Sequence, residues 1–401
     1  MSESSLLSLF WEGFELADYC ERDDGALMLR LEPCPHIAPC CSGCEQRTID
    51  VHDITRRQVR ERDLFDRRVY LEVAVRRVRC RDCGVRTEAL PWLAGRRRLT
   101  AAMVRHVEVL VRVWPVAQVA DLLGLHWHTV KAIDKARLSR ELVEPDRSRL
   151  RRLLIDEFAL HRGQRYATVV ACADTQQVLW IGEGRSRAAL RPFFAWLGEH
   201  CGHIEAVAMD MNSAFDLEVR KHCPQAEVVY DLFHVVAKYG REVIDRVRVD
   251  QANTLREDKP ARRAVKRGRW LLLRNADNLS AEQAIKLDEL LAANAPLTTV
   301  YLLKTQLKEL WYAPSTHEAR HRWQQWLAMA HESGIQPLIQ FAKRLTPYID
   351  GIIASASHRL NTSVLEGMNN RIKVIKRMAY GYRDSDYFFL KIRAAFPGKV
   401  R

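Results

Sequence analysis

The chain has 401 residues, 47% of them hydrophobic and 28% charged, with a formal net charge of +13. That size and balance describe about two to four packed domains and exclude a disordered or collagen-like chain. The positive charge favours a polyanionic partner over a neutral metabolite. No apolar run approaches the roughly 18–20 residues of a membrane span, and the N-terminus lacks the basic start and apolar core of a signal peptide. The expectation is a cytoplasmic protein, nucleoid-associated, with no membrane contact. Ten cysteines in a reducing compartment point to metal ligation or burial rather than disulfides.

Residues 1–95 are arginine-rich from Arg56 to Arg98, and no lysine precedes Lys131. Arginine suits bidentate contacts to phosphate and guanine. Cys41 and Cys44 form one C-x2-C pair and Cys80 and Cys83 a second. Four thiolates on two such knuckles close a tetrahedral, structural zinc site with no position open for substrate. Between them "RRVYLEVAVRRVRC" alternates apolar and polar residues as a strand does. Knuckles joined by strands describe a zinc ribbon. Cys34 and Cys40 leave open which thiol accompanies Cys44, and buried free thiols are the alternative.

Residues 99–145 contain "VAQVADLLGLHWHTVKAID", 116–134, with helix-turn-helix spacing. Ala120 falls where two helices approach closely, Gly124 at the turn, and Val130 and Ile133 where the second helix meets the first. That helix would carry Trp127, His128, Thr129 and Lys131 toward a DNA major groove. An ordinary helical hairpin is the alternative.

From residue 150 the pattern changes. "RLLIDEFAL", "RYATVVACAD" and "QVLWIGEG" read as strands, "SRAALRPFFAWLGEHC" as a helix, "IEAVAMDMN" as a strand, "SAFDLEVRKHC" as a helix and "AEVVYDLF" as a strand. The order β-β-β-α-β-α-β is that of an RNase H-like fold. Residues 235–350 read as amphipathic helices and residues 351–401 return to the core. The expected class is a multidomain α+β protein: zinc ribbon, helix-turn-helix, and an RNase H-like α/β catalytic core (150–234 and 351–401) interrupted by an all-helical insertion (235–350).

Three carboxylates stand out. Asp156 lies inside the apolar first strand, where a charge is costly unless it is paired or binds metal. Asp210 ends the fourth strand, a neighbour of the first in such a sheet. Two carboxylates so close raise one another's pKa unless a cation sits between them. Glu366 is the single acid of "NTSVLEGMNNRIKVIKRMAYGY", 361–382. It fits a capping box with Ser363, or with Thr362 as cap, and it also fits a third metal ligand. Asn370, Lys373 and Arg377 share its helical face, with Arg371 and Lys376 nearby to hold DNA backbone, while Met368, Ile372 and Ile375 would pack down. Two Mg²⁺ or Mn²⁺ ions roughly 3.5–4 Å apart on such carboxylates serve in-line phosphoryl transfer.

The double knuckle with "VRCRDCG", the helix-turn-helix, "IDEFALHRGQRYATVVACAD", "AVAMDMNSAF", "VVYDLFHVV" and "LEGMNNRIKVIKRMAYGYRD" resemble bacterial insertion-sequence transposases of the DDE type, in the ISL-three group. The resemblance spans nearly the whole chain. It implies Asp156, Asp210 and Glu366 as the metal-binding triad, and a ribbon and helix-turn-helix that bind terminal inverted repeats. Asp231 and His234 match a D-x-x-H pattern found near the active site of several transposases with a helical insertion; a helix cap and a core histidine are the plain alternative. Two departures lie outside the triad: Asn361-Thr362-Ser363 where the family often has Asn-Gly, and Ala171-Cys172-Ala173-Asp174 where it often has an earlier aspartate. Joining two element ends implies a homo-oligomer on double-stranded DNA, both repeat and target. The rival readings are a catalytically silent DNA-binding regulator derived from a transposase, and an RNase H-like nuclease without strand transfer.

Overall fold

The computed structural model describes residues 9–95, 98–161, 165–360 and 363–399. They fall into two compact units, Met1–Glu141 with Met378–Gly381, and Leu142–Arg377 with Tyr382–Arg401.

The first unit begins with one sheet: β1 (Phe14–Glu21), β2 (Leu27–Pro33), β3 (Val51–Leu64), β4 (Arg67–Cys80) and β5 (Gly84–Thr87), in the order β1-β2-β4-β3 with β5 on the end of β4. β3 and β4 form a long antiparallel hairpin, and β2 runs parallel to β4. The alternation read from the sequence is the cause. Val69, Leu71, Val73 and Val75 of β4 are buried with Phe14, Leu31 and Trp92, each apolar side chain contributing about 1.5–3 kcal/mol over its exposed state. The hairpin fills the long gap between the two cysteine knuckles. The buried Arg76–Glu88 pair (2.7 Å), with Arg76 also donating to the Ile37 carbonyl (3.1 Å), fastens the segment before the first knuckle to β4.

Three helices follow: α1 (Ala101–Leu110), α2 (Val116–Leu123) and α3 (Trp127–Glu141). The Thr100 hydroxyl accepts the Met103 N–H (3.1 Å) and caps α1. Val119, Ala120, Leu123, Val130 and Ile133 interlock with Met103 and Val107, so the helix-turn-helix spacing packs as expected. α1 is an addition to the two helices legible in the sequence, and α3 runs on past residue 134. Gly124 ends α2 at φ 61°. A Cβ there would stand 2.7 Å from the Arg68 guanidinium carbon, so both the left-handed turn and the approach of the hairpin require glycine.

The second unit is built on β6 (Arg152–His161), β7 (Arg165–Cys172), β8 (Val178–Glu183), β9 (Ala206–Met209) and β10 (Glu227–Tyr230), ordered β10-β9-β6-β7-β8. β7 runs antiparallel to both of its neighbours, β6 and β8, while β9 and β10 run parallel to β6. This is the RNase H-like sheet. α4 (Arg187–Leu197) and α5 (Ser213–His222) cover one face, with Leu153 and Ile155 of β6 in that core. The other face carries α15 (Ser363–Met378) and α16 (Ser385–Ala395), with Leu154, Phe158 and Leu160 of β6 packed against Leu365, Met368, Ile372 and Phe388.

The helical insertion comprises α6 (Leu232–Tyr239), α7 (Asp245–Thr254), α8 (Lys259–Arg267), α9 (Arg269–Leu273), α10 (Ala281–Ala292), α11 (Ala295–Glu309), α12 (Thr316–Glu332), α13 (Gln336–Leu345) and α14 (Ile349–Ile353). Several of its inward polar groups are matched. The Tyr239 hydroxyl donates to the Val300 carbonyl and Trp326 Nε1 to that of Leu303, both at 2.8 Å. Buried Lys304 donates to the Leu272 (2.6 Å) and Arg274 (3.0 Å) carbonyls, closing the end of α9. The insertion is rooted on β10. Trp311 Nε1 donates to the Tyr230 carbonyl (2.9 Å), and Gly351 of α14 lies so close that a Cβ would meet the Tyr230 ring at 2.5 Å.

Candidate active site and zinc cluster

Asp156 points from β6 toward α15 and is 7% exposed. The parallel register Leu154↔Ala208, carried two residues on, sets Asp156 opposite Asp210 just past the end of β9. Asp231 follows β10 one strand further along, its N–H donating to the Met209 carbonyl (2.9 Å). Strand order thus brings three acids to one end of the sheet.

Burial dominates the electrostatics of Asp156 and Asp210. It pushes the Asp156 carboxyl up to about 6, with the Glu157 N–H (2.7 Å) and His234 opposing and Asp210 and Asp231 adding to the rise. Asp210 is raised as well, first by burial, and among the described residues its buried Oδ1 has no hydrogen-bond partner. Asp231 has two tasks. Its Oδ1 accepts the Phe233 N–H (2.9 Å) and caps α6, and its Oδ2 lies 2.6 Å from His234 Nδ1. That bond raises the His234 pKa, aided by the charges of Asp231, Asp210 and Asp156. The His234 side chain is 44% exposed, which is not the environment of a core histidine.

Glu366 lies in the first turn of α15, exposed, and among the described residues it makes no hydrogen bond or ion pair. Among the described residues it does not converge with Asp156 and Asp210 into a cluster of three metal ligands. One turn on, Asn369 Nδ2 donates to Asp156 Oδ2 (2.7 Å), while among the described residues the buried Asn369 Oδ1 has no partner. Residues three apart share a helix face, so Glu366 is on the side of α15 that meets Asp156. Asn369 was missed in the sequence; its only signal is its place three residues after Glu366. Glu157 was missed too. It takes Arg185 (3.3 Å) and Asn212 (3.4 Å), and its charge adds to the rise of Asp210. The side chains of Thr362 and Ser363, on which the capping expectation rests, lie outside the described residues.

The expected DNA contacts are mostly at the surface. At the start of α3, Trp127 and His128 stack at 3.8 Å and are exposed, and Lys131 Nζ lies over the Trp127 ring (5.9 Å). Thr129 is half-buried beside them. On α15, Arg377 is exposed and Lys373 Nζ reaches Asn370 Oδ1 (3.4 Å). Lys376 donates to the Ala159 carbonyl (3.1 Å), and Arg371 lies over the Phe396 ring (5.2 Å). Met368 and Ile372 are buried and Ile375 packs on them, as the helical spacing predicts. The departing Asp174 pairs with Arg152.

The Sγ atoms of Cys41, Cys44, Cys80 and Cys83 lie within 4.8 Å of one another, the one such convergence of possible ligands among the described residues. A tetrahedral zinc with Zn–S near 2.3 Å needs sulfurs about 3.8 Å apart, so the cluster suits a structural Zn²⁺. Backbone N–H groups of Gly43 and Cys44 hold the Cys41 thiol down to about 7, readying a thiolate. Cys40 turns elsewhere, its Sγ donating to the Glu45 carbonyl (2.8 Å), and Cys34 is also outside the cluster.

Comparison with known proteins agrees along the chain. A transposase family model matches residues 153–392, the helix-turn-helix domain of transposase family ISL3 matches 88–138, and the zinc-finger of transposase IS204/IS1001/IS1096/IS1165 matches 37–83. The chain belongs to the ISL3 family of transposases. This transposase is 52% identical over 395 residues to the transposase for insertion sequence element IS1001 of Bordetella parapertussis, covering 98% of this chain and 97% of that one. It is 29% identical over 350 residues to the transposase for IS1557 of Mycobacterium tuberculosis, covering 82% and 78%. Among solved structures, the Drosophila P element transposase strand transfer complex overlaps 74% of this chain and 91% of its own at a TM-score of 0.36 and 10% identity, too loosely to carry an argument. The transposase is thus a DNA-binding protein with a zinc ribbon, a helix-turn-helix and a transposase core.

Proposed function

We propose that this transposase binds the terminal inverted repeats of an insertion sequence and cleaves and joins DNA strands at Asp156, Asp210 and Glu366. The observation that carries the reading is the pair at the sheet end: Asp156 raised to about 6 by burial, beside Asp210 with a buried, partnerless Oδ1. Oxygen donors desolvated in this way suit hard divalent cations. Two Mg²⁺ or Mn²⁺ ions, when bound, supply charge stabilisation to the attacking and leaving oxygens of phosphoryl transfer. Asn369 fixes Asp156 Oδ2, and Asp231 with His234 keeps a cation beside both aspartates and so favours their ionised forms. Glu366 completes the donor set from α15.

The remaining assignments follow. Residues 1–95 are the ribbon, with Cys41, Cys44, Cys80 and Cys83 as zinc ligands, and 99–145 the helix-turn-helix, with Trp127, His128, Thr129 and Lys131 reading the repeat. Residues 150–234 and 351–401 are the core, 235–350 the insertion, and Arg371, Lys373, Lys376 and Arg377 hold DNA backbone. The protein acts as a homo-oligomer on DNA, associated with the nucleoid. The test is strand cleavage of labelled element-end DNA in Mg²⁺ by the parent and by Glu366→Gln at matched end binding. Loss of cleavage with retained binding supports the proposal. Equal cleavage by both proteins refutes it, and binding without cleavage by the parent itself favours a silent regulator.

A further inference from the structure

Helix α8 carries a surface that nothing above uses. Lys259, Arg262, Arg263, Lys266 and Arg267 recur at i, i+3, i+4, i+7 and i+8, so they form one stripe along about 12 Å of helix. The other side packs inward through Val265. Lys259, Arg263, Lys266 and Arg267 are exposed and Arg262 is half-buried. Among the described residues none of the five makes an ion pair. Neighbouring bases differ: Arg246 pairs with Asp250, and Arg248 and Arg269 pair with Asp245. From Lys259 to Arg274 the chain contains no acid, and Asp258 is engaged in capping α8. Like charges three and four residues apart repel. By contrast, the exposed face of α10 pairs Lys286 with Glu282.

We propose that this stripe grips the phosphate backbone of duplex DNA, so that the helical insertion holds DNA in its own right, apart from the ribbon, the helix-turn-helix and α15. A row of partnerless guanidinium and ammonium groups matches a row of phosphates in charge, and arginine adds bidentate geometry. Phosphate contacts position a duplex without reading it, so the stripe acts equally on element and unrelated DNA. The inference takes from the family only that the polyanion is DNA, and it stands whether or not Glu366 is a metal ligand.

The experiment uses the full chain, without Mg²⁺, so that its outcome is separate from that of the active-site test. Affinity is measured against salt for an element-end duplex and an unrelated duplex of equal length, with the parent and with Arg263→Gln/Lys266→Gln/Arg267→Gln. Each phosphate contact contributes about 0.9 to the slope of log affinity on log salt. The variant is expected to lose roughly 2–3 from that slope, and at least about tenfold in affinity at low salt, by the same factor on both duplexes. Arg263→Lys/Arg267→Lys keeps the charge and is expected to keep the slope. A triple variant with the parent's slope and affinity overturns the inference. So does a loss confined to the end duplex, or an equal loss in the charge-keeping variant, which marks a structural effect.

Discussion

Replacing Asp156 by asparagine should make the metal-free protein more stable while abolishing its response to Mg²⁺. The carboxyl is buried in the folded core and raised from 3.8 to about 6. For an acid raised by folding, the protonated form is the one the fold prefers. Its stabilising contribution is complete below about 3.8 and is lost as pH rises through about 6. The difference amounts to roughly 3 kcal/mol forfeited at neutral pH, as an upper bound. Asparagine carries no charge and so escapes that loss. It also keeps its hydrogen bonds: one oxygen still accepts the Glu157 N–H, and Asn369 can turn its amide so that its partnerless Oδ1 accepts from the new side chain. A net gain of about 1–3 kcal/mol is expected, at about 2–4 °C of melting temperature per kcal/mol for a unit of this size. The assay is thermal unfolding in EDTA across the acidic to neutral range, repeated in Mg²⁺, which should raise the parent's melting temperature and leave the variant's unmoved. A variant that melts at or below the parent at neutral pH in EDTA refutes the electrostatic reasoning. So does a gain that persists undiminished near pH 4, where the parent carries its proton as well.

Cys80→Ser/Cys83→Ser should release the bound zinc and weaken end binding while the core unit melts as before; unchanged zinc content by atomic absorption sinks the ribbon assignment. Lys304 is lowered from 10.5 to about 7 by burial, so between those values the unfolded chain binds more protons and stability should rise with pH. Lys304→Met should flatten that rise in chemical denaturation, and an unaltered pH profile contradicts the reading. His234→Gln removes the cation that lowers Asp156 and Asp210, so the acid limb of the pH–cleavage profile should move to higher pH. A limb that stays in place or moves down counts against it.

Much of the framework was legible because the sequence patterns are long-range consistent. Alternation in "RLLIDEFAL" assigns Leu154, Asp156 and Phe158 to one face of β6, and that face meets α15. Strand order alone made Asp156 and Asp210 neighbours. Other features depend on contacts that spacing does not encode. Cys40 and Cys41 are adjacent and both fit a knuckle, and only the turn of the chain sends Cys40 to the Glu45 carbonyl. β1 and β2, ahead of the first knuckle, carry no motif and were not read at all. Asn369 looks like any polar residue on a helix until Asp156 is placed beneath it. Lys304 reads as a surface lysine of an amphipathic helix, yet it is buried because the end of α9 leaves carbonyls in need of donors.

The most direct test of the central claim, that three carboxylates share one metal centre, is Mn²⁺ binding on end DNA, followed by electron paramagnetic resonance in the parent, Asp210→Asn and Glu366→Gln. The account predicts that both substitutions weaken or remove bound Mn²⁺ relative to the parent while end binding persists. Parent-like Mn²⁺ binding by Glu366→Gln would contradict it, leaving Glu366 a helix-end charge and the metal centre to the aspartates alone.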